Sequence, residues 1–365
     1  MIETGKAMVF PGVGEPLLLK EFELPLPKKD EVLVKIKNCT LCKSDLHTFF
    51  GTRRGPTPSI LGHEIIGEVY TLPEETVFDY EGNPLRKGDL ITWSLAVSCN
   101  ECKYCKKGFS QKCEQLKKYG HLKITKDHQF NGGLAEYIHL KPVSAIFKLK
   151  SDIPTAFLTP LNCSLSTIKA TLRIAGNVKN KHVVIFGAGM LGIMAVAMLR
   201  EQGASNVISI DPSGYRLGIA EKFGADQTLQ WNKDETSIDD FIRTELKDKK
   251  FDIVLETSGS SKAIEAAKGI MDIGAQLILA GSVFPTKDFQ INPEKILRNL
   301  WQIKGMHNYH PEDLKDAIDF YYKNYPKYPF ELLFHKETFS LLEAEKAIRF
   351  FETSKAHRII IEISS

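Results

Sequence analysis

Four cysteines, Cys99, Cys102, Cys105 and Cys113, stand within fifteen positions in the run CNECKYCKKGFSQKC. The two C-x2-C steps let neighbouring thiolates approach one tetrahedral ion while the x7 arm folds back with the fourth, and zinc held by four sulfurs is closed to substrate. Free surface thiols or a single redox dithiol explain the run less well, because the interleaved lysines offset thiolate charge. An iron–sulfur cluster is the alternative occupant, and the spacing does not match the ferredoxin runs. The expectation is a structural zinc site.

A second set is more dispersed. Cys42-Lys43-Ser44-Asp45-Leu46-His47 places a thiol, a hydroxyl, a carboxylate and an imidazole within six residues, Gly62-His63-Glu64 follows, and Cys163 lies in LNCSLST. A catalytic zinc keeps three protein ligands and one open position, so the candidates are Cys42, His63 and one more soft ligand, for which Cys163 is available. Singly these residues have ordinary explanations: a buried Cys is a small core residue, Ser44 or Asp45 can serve a helix N-terminus, and His47 can be a surface imidazole.

The third feature is Gly187-Ala188-Gly189-Met190-Leu191-Gly192, which fits G-x-G-x-x-G, follows the apolar run HVVIF and opens the helical run LGIMAVAMLREQG. Asp211, ending NVISID, comes nineteen positions after Gly192. Strand, glycine turn, helix and an acid closing the next strand form the context that makes this pattern a dinucleotide fingerprint. The glycines let backbone approach a pyrophosphate at a helix N-terminus. Asp211 suits ribose hydroxyls and repels a 2′-phosphate, favouring NAD over NADP, while Arg216 is near enough to weaken that preference.

The elements that must position these groups fall into two textures. Short apolar or alternating runs such as EVLVKIKN, IIGEVYTL and GDLITWSL, broken by Gly, Pro and charge, read as a barrel or sandwich. From about Asn162 strands alternate with helices, near 191–202, near 216–223 and again after FDIVLE, which specifies a parallel sheet. Beyond WQIKGMHN, helices near 312–322 and 342–353 precede the strand RIIIEIS, expected to return to the first domain. The stretch 74–87 reads as a surface loop. At 365 residues and 43% hydrophobic, the chain suits two domains. Its 48 basic against 45 acidic residues give +3 with no cationic run, so nucleic acid is a poor partner. No apolar stretch of about 18 residues and no signal-like start is present, and a cytoplasmic protein that does not bind membranes is expected.

Assembled, the chain resembles the zinc-containing medium-chain alcohol dehydrogenases over essentially its full length, through GHEIIG, CKSDLH, the four-cysteine run, GGLAEY and NCSLST. Pro73 and the loop after it depart from the family pattern. The resemblance implies an α/β protein with a GroES-like β-barrel catalytic domain at 1–162 and 308–365 and a Rossmann domain at 163–307, the active cleft between them. It implies two zinc ions, the catalytic one on Cys42, His63 and Cys163, and NAD. Ser44 would take the alcohol proton and pass it through the nicotinamide ribose to His47, Asp45 would orient His63, and Glu64 would be a supporting group or transient ligand. Dimers or tetramers are the rule there. WSLAVSCNECKYC, KYGH and HNYHPEDL are similar to dehydrogenases of phosphonate catabolism, which would give His121, His307, Asn308 and His310 an anionic substrate to meet, with Trp93 and Leu95 lining its pocket. A zinc-independent quinone or enoyl reductase of the same fold would lack the Cys42, His63, Cys163 set. A non-catalytic zinc protein would have lost Ser44, His47 or the glycines.

Overall fold

A computed structural model describes residues 2–232, 237–247 and 249–363. The chain divides into two compact units: Met1–Cys163, His310–Lys315 and Leu333–Ser365 form the first, and Ser164–Tyr309 with Asp316–Leu332 the second.

The first unit is built around the strand Val32–Leu41, buried along almost its whole length. It pairs antiparallel with Glu64–Thr71, Tyr137–Leu140 and Ile359–Glu362. Leu90–Trp93 and Ile146–Lys148 extend the sheet beyond Glu64–Thr71. Pairing with Glu64–Thr71 slips at Leu33/Val34 and again at Ile36/Asn38. Such bulges bend a strand and increase its twist, which lets the sheet curl around an apolar interior. This is the GroES-like arrangement, and RIIIEIS does return to it. The register is what positions the site. Thr40 stands opposite both Glu64 and Ile360, so the residues just beyond these pairs, Cys42, His63 and Arg358, converge at one end of the sheet.

The second unit holds a six-stranded, all-parallel sheet: Gln227–Gln230, Asn206–Asp211, His182–Phe186, Phe251–Glu256, Met271–Leu279 and Gln302–Gly305, in that spatial order. Strand order reverses between His182–Phe186 and Phe251–Glu256, the place where such sheets bind nucleotides. Runs such as VVIF are buried on both faces, as parallel strands require. The helix Met190–Glu201 is apolar nearly all round and buries nine of its twelve residues. Among the described residues, no helix is long and apolar enough to cross a membrane.

The compact units part from the sequence-based bounds at three places, one of them Asn308 and Tyr309, which lie in the second unit. Cys163 closes the first unit rather than opening the second, and Asp316–Leu332 belongs to the second rather than the first. The aromatic side chains explain the latter: Phe330 packs 4.3 Å from Tyr321 and 5.5 Å from Phe223, and Tyr328 stacks on Phe223 at 5.6 Å. His310–Lys315 stays with the first unit, where Tyr80 donates to Glu312 at 2.7 Å and Lys315 pairs with Glu81 at 3.3 Å. Those two acceptor and donor sites lie in or beside the loop 74–87, which folds over its own buried Asp79.

Candidate metal centres and cofactor site

Cys42 follows the strand Val32–Leu41 directly and caps the short helix Lys43–Phe49; its N–H donates to Asp45 Oδ2 at 2.9 Å. The other oxygen of Asp45 accepts from Gly62 N–H at 3.1 Å and from His63 Nδ1 at 3.0 Å. One carboxylate thus closes the helix start and fixes the His63 tautomer, leaving Nε2 toward Cys163 Sγ at 3.4 Å. Ligand atoms of Cys42, His63, Glu64 and Cys163 all lie within 4.8 Å of one another. Two positive-φ glycines make this approach possible. Gly62 has φ +84° and Gly120 +75°, and a Cβ on Gly120 would sit 2.4 Å from Gly62 O and 2.8 Å from His63 Cβ.

The electrostatics describe a site built for a cation. A hydrogen bond between Cys42 and Cys163 holds the Cys42 thiol well below its ordinary pKa and pushes Cys163 well above, so only one sulfur ionises readily on its own. Burial works against charge on His63, yet Asp45 raises the imidazole to about 10. A dication supplies what the two thiols and Nε2 compete for, and the donor set of two sulfurs and one nitrogen suits zinc. Glu64 is fully buried; burial raises its pKa and Arg358 counters that. Arg358 donates to both carboxylate oxygens, at 2.7 Å through Nη2, and Thr40 adds a bond of 2.7 Å. Arg358 and Thr40 were not anticipated. The available signal was an arginine directly before the three isoleucines of RIIIEIS.

Ser44 Oγ lies 3.4 Å from His63 Nε2. His47, one turn further along the same helix, is half-buried, and burial lowers its pKa below the ordinary imidazole value. His121, carried by the turn beside Gly120, brings its ring 4.9 Å from that of His63. Trp93 and Leu95 are buried, Trp93 edge-on to Tyr119 at 6.4 Å. His310 bonds Ser110 Oγ at 2.9 Å, next to the cysteine lobe. His307 is exposed and Asn308 buried in the second unit, so neither belongs to the unit that carries Cys42 and His63.

The four-cysteine lobe is held by a two-stranded neck, Ala96–Val97 against Lys117–Lys118. Sγ separations are 3.5 Å (Cys102–Cys105), 3.9 Å (Cys102–Cys113) and 3.4 Å (Cys99–Cys113). Tetrahedral coordination at about 2.3 Å per Zn–S bond puts sulfurs about 3.8 Å apart. Backbone N–H groups of Cys99 and Gln115 point at Cys113 Sγ, and that of Cys102 at Cys99 Sγ, each at 3.3 Å, as thiolates favour. The set fits zinc.

In the second unit, Gly187 (φ +104°) turns the chain, and a Cβ on Gly192 would lie 1.8 Å from Gly187 O. Gly189 caps the helix that begins with Met190 and Leu191. Asp211, nearly buried, accepts from Ala188 N–H and Ser213 N–H at 2.8 Å each. It pins the glycine turn to the end of the next strand. Arg216 sits in the first turn of the helix Gly214–Lys222, whose N-cap is Ser213. Bare helix N–H groups beside glycine backbone form a cradle that a pyrophosphate fits.

A curled antiparallel sheet bearing two cysteine-containing clusters of a kind that could hold a metal ion, joined in one chain to a parallel dinucleotide-type sheet, is the pattern of zinc dehydrogenases. Residues 28–151 match the family described as alcohol dehydrogenase GroES-like domain, and 191–323 the family described as zinc-binding dehydrogenase. Galactitol 1-phosphate 5-dehydrogenase of Escherichia coli is 33% identical over 259 residues, 70% of this chain and 69% of that one. L-threonine 3-dehydrogenase of Deinococcus deserti is 28% identical, covering 78% of each. An alcohol dehydrogenase of Thermotoga maritima superposes with TM-score 0.91 at 29% identity, covering 99% of this chain and 100% of that one. The chain belongs to the zinc-containing medium-chain alcohol dehydrogenase family and is an oxidoreductase acting on a small molecule.

Proposed function

We propose that this protein exchanges hydride between a small alcohol and NAD, with two zinc ions per chain. The observation that carries this reading is the convergence of Cys42, His63 Nε2 and Cys163, three donors of the type and number a catalytic zinc uses. Bound there, zinc would supply Lewis acidity that lowers a hydroxyl pKa, and the nicotinamide would accept the hydride.

The residues of the chain do the rest. Asp45 holds Nδ1 of His63 and keeps Nε2 on the metal side. Ser44 Oγ, at the rim of the ligand set, takes the proton of the alcohol, and His47 one turn away delivers it to solvent. Glu64, tied to Arg358, supports the ligand set from behind. Gly187, Gly189 and Gly192 with the helix N-terminus hold the pyrophosphate, and Asp211 takes the adenosine ribose and disfavours a 2′-phosphate. Cys99, Cys102, Cys105 and Cys113 hold the structural ion. Hydroxyphosphonates are the first alcohols to test, on the resemblance at KYGH and HNYHPEDL.

The test is zinc per chain in protein purified without chelator, with NAD binding read by fluorescence, for wild type and Cys163→Ser. Two ions in wild type, one in the variant and NAD binding in both is the expected result. One ion in both proteins would sink the catalytic zinc and favour a zinc-independent reductase.

A further inference from the structure

In the second unit, Glu256 ends the strand Phe251–Glu256 opposite Phe186, the residue before the glycine turn, where strand order reverses. It is fully buried. Its Oε1 accepts from Ser258 N–H at 2.7 Å, Ser258 Oγ at 2.6 Å and Gly259 N–H at 2.7 Å, while Oε2 is buried without a hydrogen-bond partner. One carboxyl oxygen thus folds the turn 257–260. That turn is stitched to the glycine turn: Thr257 Oγ1 shares its proton between Phe186 O and Gly187 O, at 3.0 Å each, and a Cβ on Gly187 would lie 3.0 Å from Ser258 N. On the other side, a Cβ on Gly281 would lie 2.4 Å from Thr257 C and 2.5 Å from Gly259 N. The next residue supplies a second orphan, Ser282 Oγ, also buried without a partner.

The side-chain partners of Glu256 are two amides and a hydroxyl, and no cation pairs with it among the described residues. Burial raises its pKa above the ordinary carboxylate value, against the Ser258 and Gly259 donors, which lower it. With Oε1 taken by three donors, the proton belongs on Oε2. Residues 187–189 and 280–284, packed on either side, carry no titratable group. Beyond them stand Asp211, which accepts from Ala188 and Ser213 N–H, and Lys262, Glu265 and Lys268 on the helix Ser261–Ile270, where Glu265 pairs with Lys268. We propose that Glu256 is a positioning residue for the cofactor: as the neutral acid it holds the turn 257–260 against the glycine turn, and once ionised it sets a buried negative charge beside the pyrophosphate cradle and loosens the cofactor. An unpaired buried charge strains the turn that holds it and repels a diphosphate through a medium that screens poorly. This rests on the reading of the glycine turn as a dinucleotide cradle.

The experiment is calorimetric titration of ADP-ribose into the zinc-loaded protein from pH 5 to pH 9. ADP-ribose carries the pyrophosphate without the nicotinamide, and its diester charge is constant over that range. Wild-type affinity is expected to fall about tenfold as pH rises. Glu256→Gln keeps the acceptor at Oε1 and puts an N–H donor where Oε2–H stood, so it binds as wild type does at pH 5 and holds that affinity to pH 9. Ser258→Ala removes a donor that favours ionisation, and moves the fall to higher pH. A fall of equal size in wild type and Glu256→Gln, a flat wild-type profile, or weak binding by Glu256→Gln at every pH would each overturn the proposal. Wild type binding ADP-ribose at no pH would overturn the reading of the cradle, and this proposal with it.

Discussion

Asp45 accepts from three donors, Cys42 N–H, Gly62 N–H and His63 Nδ1, so the carboxylate couples the backbone at Cys42 and at Gly62 to the orientation of the imidazole. Asp45→Asn keeps the shape but turns one acceptor oxygen into a donor. Zinc affinity at the three-ligand centre is expected to fall about 10- to 100-fold, read by chelator competition, with the four-sulfur site as internal control. Arg358 poses a different problem because it and Glu64 are both buried. Arg358→Leu leaves the carboxylate without its counter-charge, and a loss of about 3–5 kcal/mol in urea unfolding is expected. Arg358→Leu with Glu64→Leu recovers most of that loss; equal destabilisation in the double variant would mean the pair matters through packing rather than charge.

Helix periodicity puts Ser44 and His47 on one face of Lys43–Phe49, a short element held by its cap and by packing rather than by length. Burial, with Lys43 and Arg53 nearby, keeps His47 neutral below the ordinary imidazole range, as a proton acceptor must be near neutral pH. His47→Gln is expected to lower kcat about tenfold, less than loss of a direct general base, and added imidazole should restore part of it. A second element-level device joins Tyr137–Leu140 to the start of Val32–Leu41. His139 and Lys141 hold Glu31 at 2.9 and 3.0 Å, and His128 bonds His139 O at 2.9 Å. Burial opposes charge on Glu31, but the Lys28 amide, Lys141 and His139 bring its pKa to about 2 from 4.5. Burial takes His128 to about 4 from 6.5. Both groups bind protons more readily when unfolded, so their contributions are complete above pH 6.5. That of His128 is lost between 6.5 and 4, and that of Glu31 between 4.5 and 2. Glu31→Gln should cost about 2–3 kcal/mol at pH 7 and flatten the lower part of the acid-unfolding curve.

At the scale of the molecule, Gln302–Gly305 is one of the two edges of the parallel sheet among the described residues, and Leu297, Leu300 and Ile303 around it are exposed. A strand edge with exposed apolar neighbours is a template that a second chain can pair with. Sedimentation should show a dimer, converted toward monomer by Leu300→Glu with Ile303→Glu; a wild-type monomer would remove this edge as an interface. Much of this architecture was legible in the chain. The glycine fingerprint and apolar runs mark the parallel sheet because local pattern and buried strands coincide there, and the four cysteines announce themselves by spacing alone. What the sequence could not disclose is pairing across long separations. That Arg358 meets Glu64 follows from the register of distant strands. The reach of the Pro311–Asn324 helix into the second unit likewise depends on Phe223 meeting Phe330. The strand Ile359–Glu362 has a further implication for biosynthesis. The strand Val32–Leu41 precedes it by more than 300 residues and lacks a central partner, and Glu64 lacks the guanidinium that neutralises it, until this strand is made. The parallel sheet can therefore consolidate while the barrel waits, and a polypeptide interrupted before Arg358 would carry an uncompensated buried carboxylate behind its metal ligands. Pairing of Ile359–Glu362 with Val32–Leu41 and compensation of Glu64 thus arrive in one step.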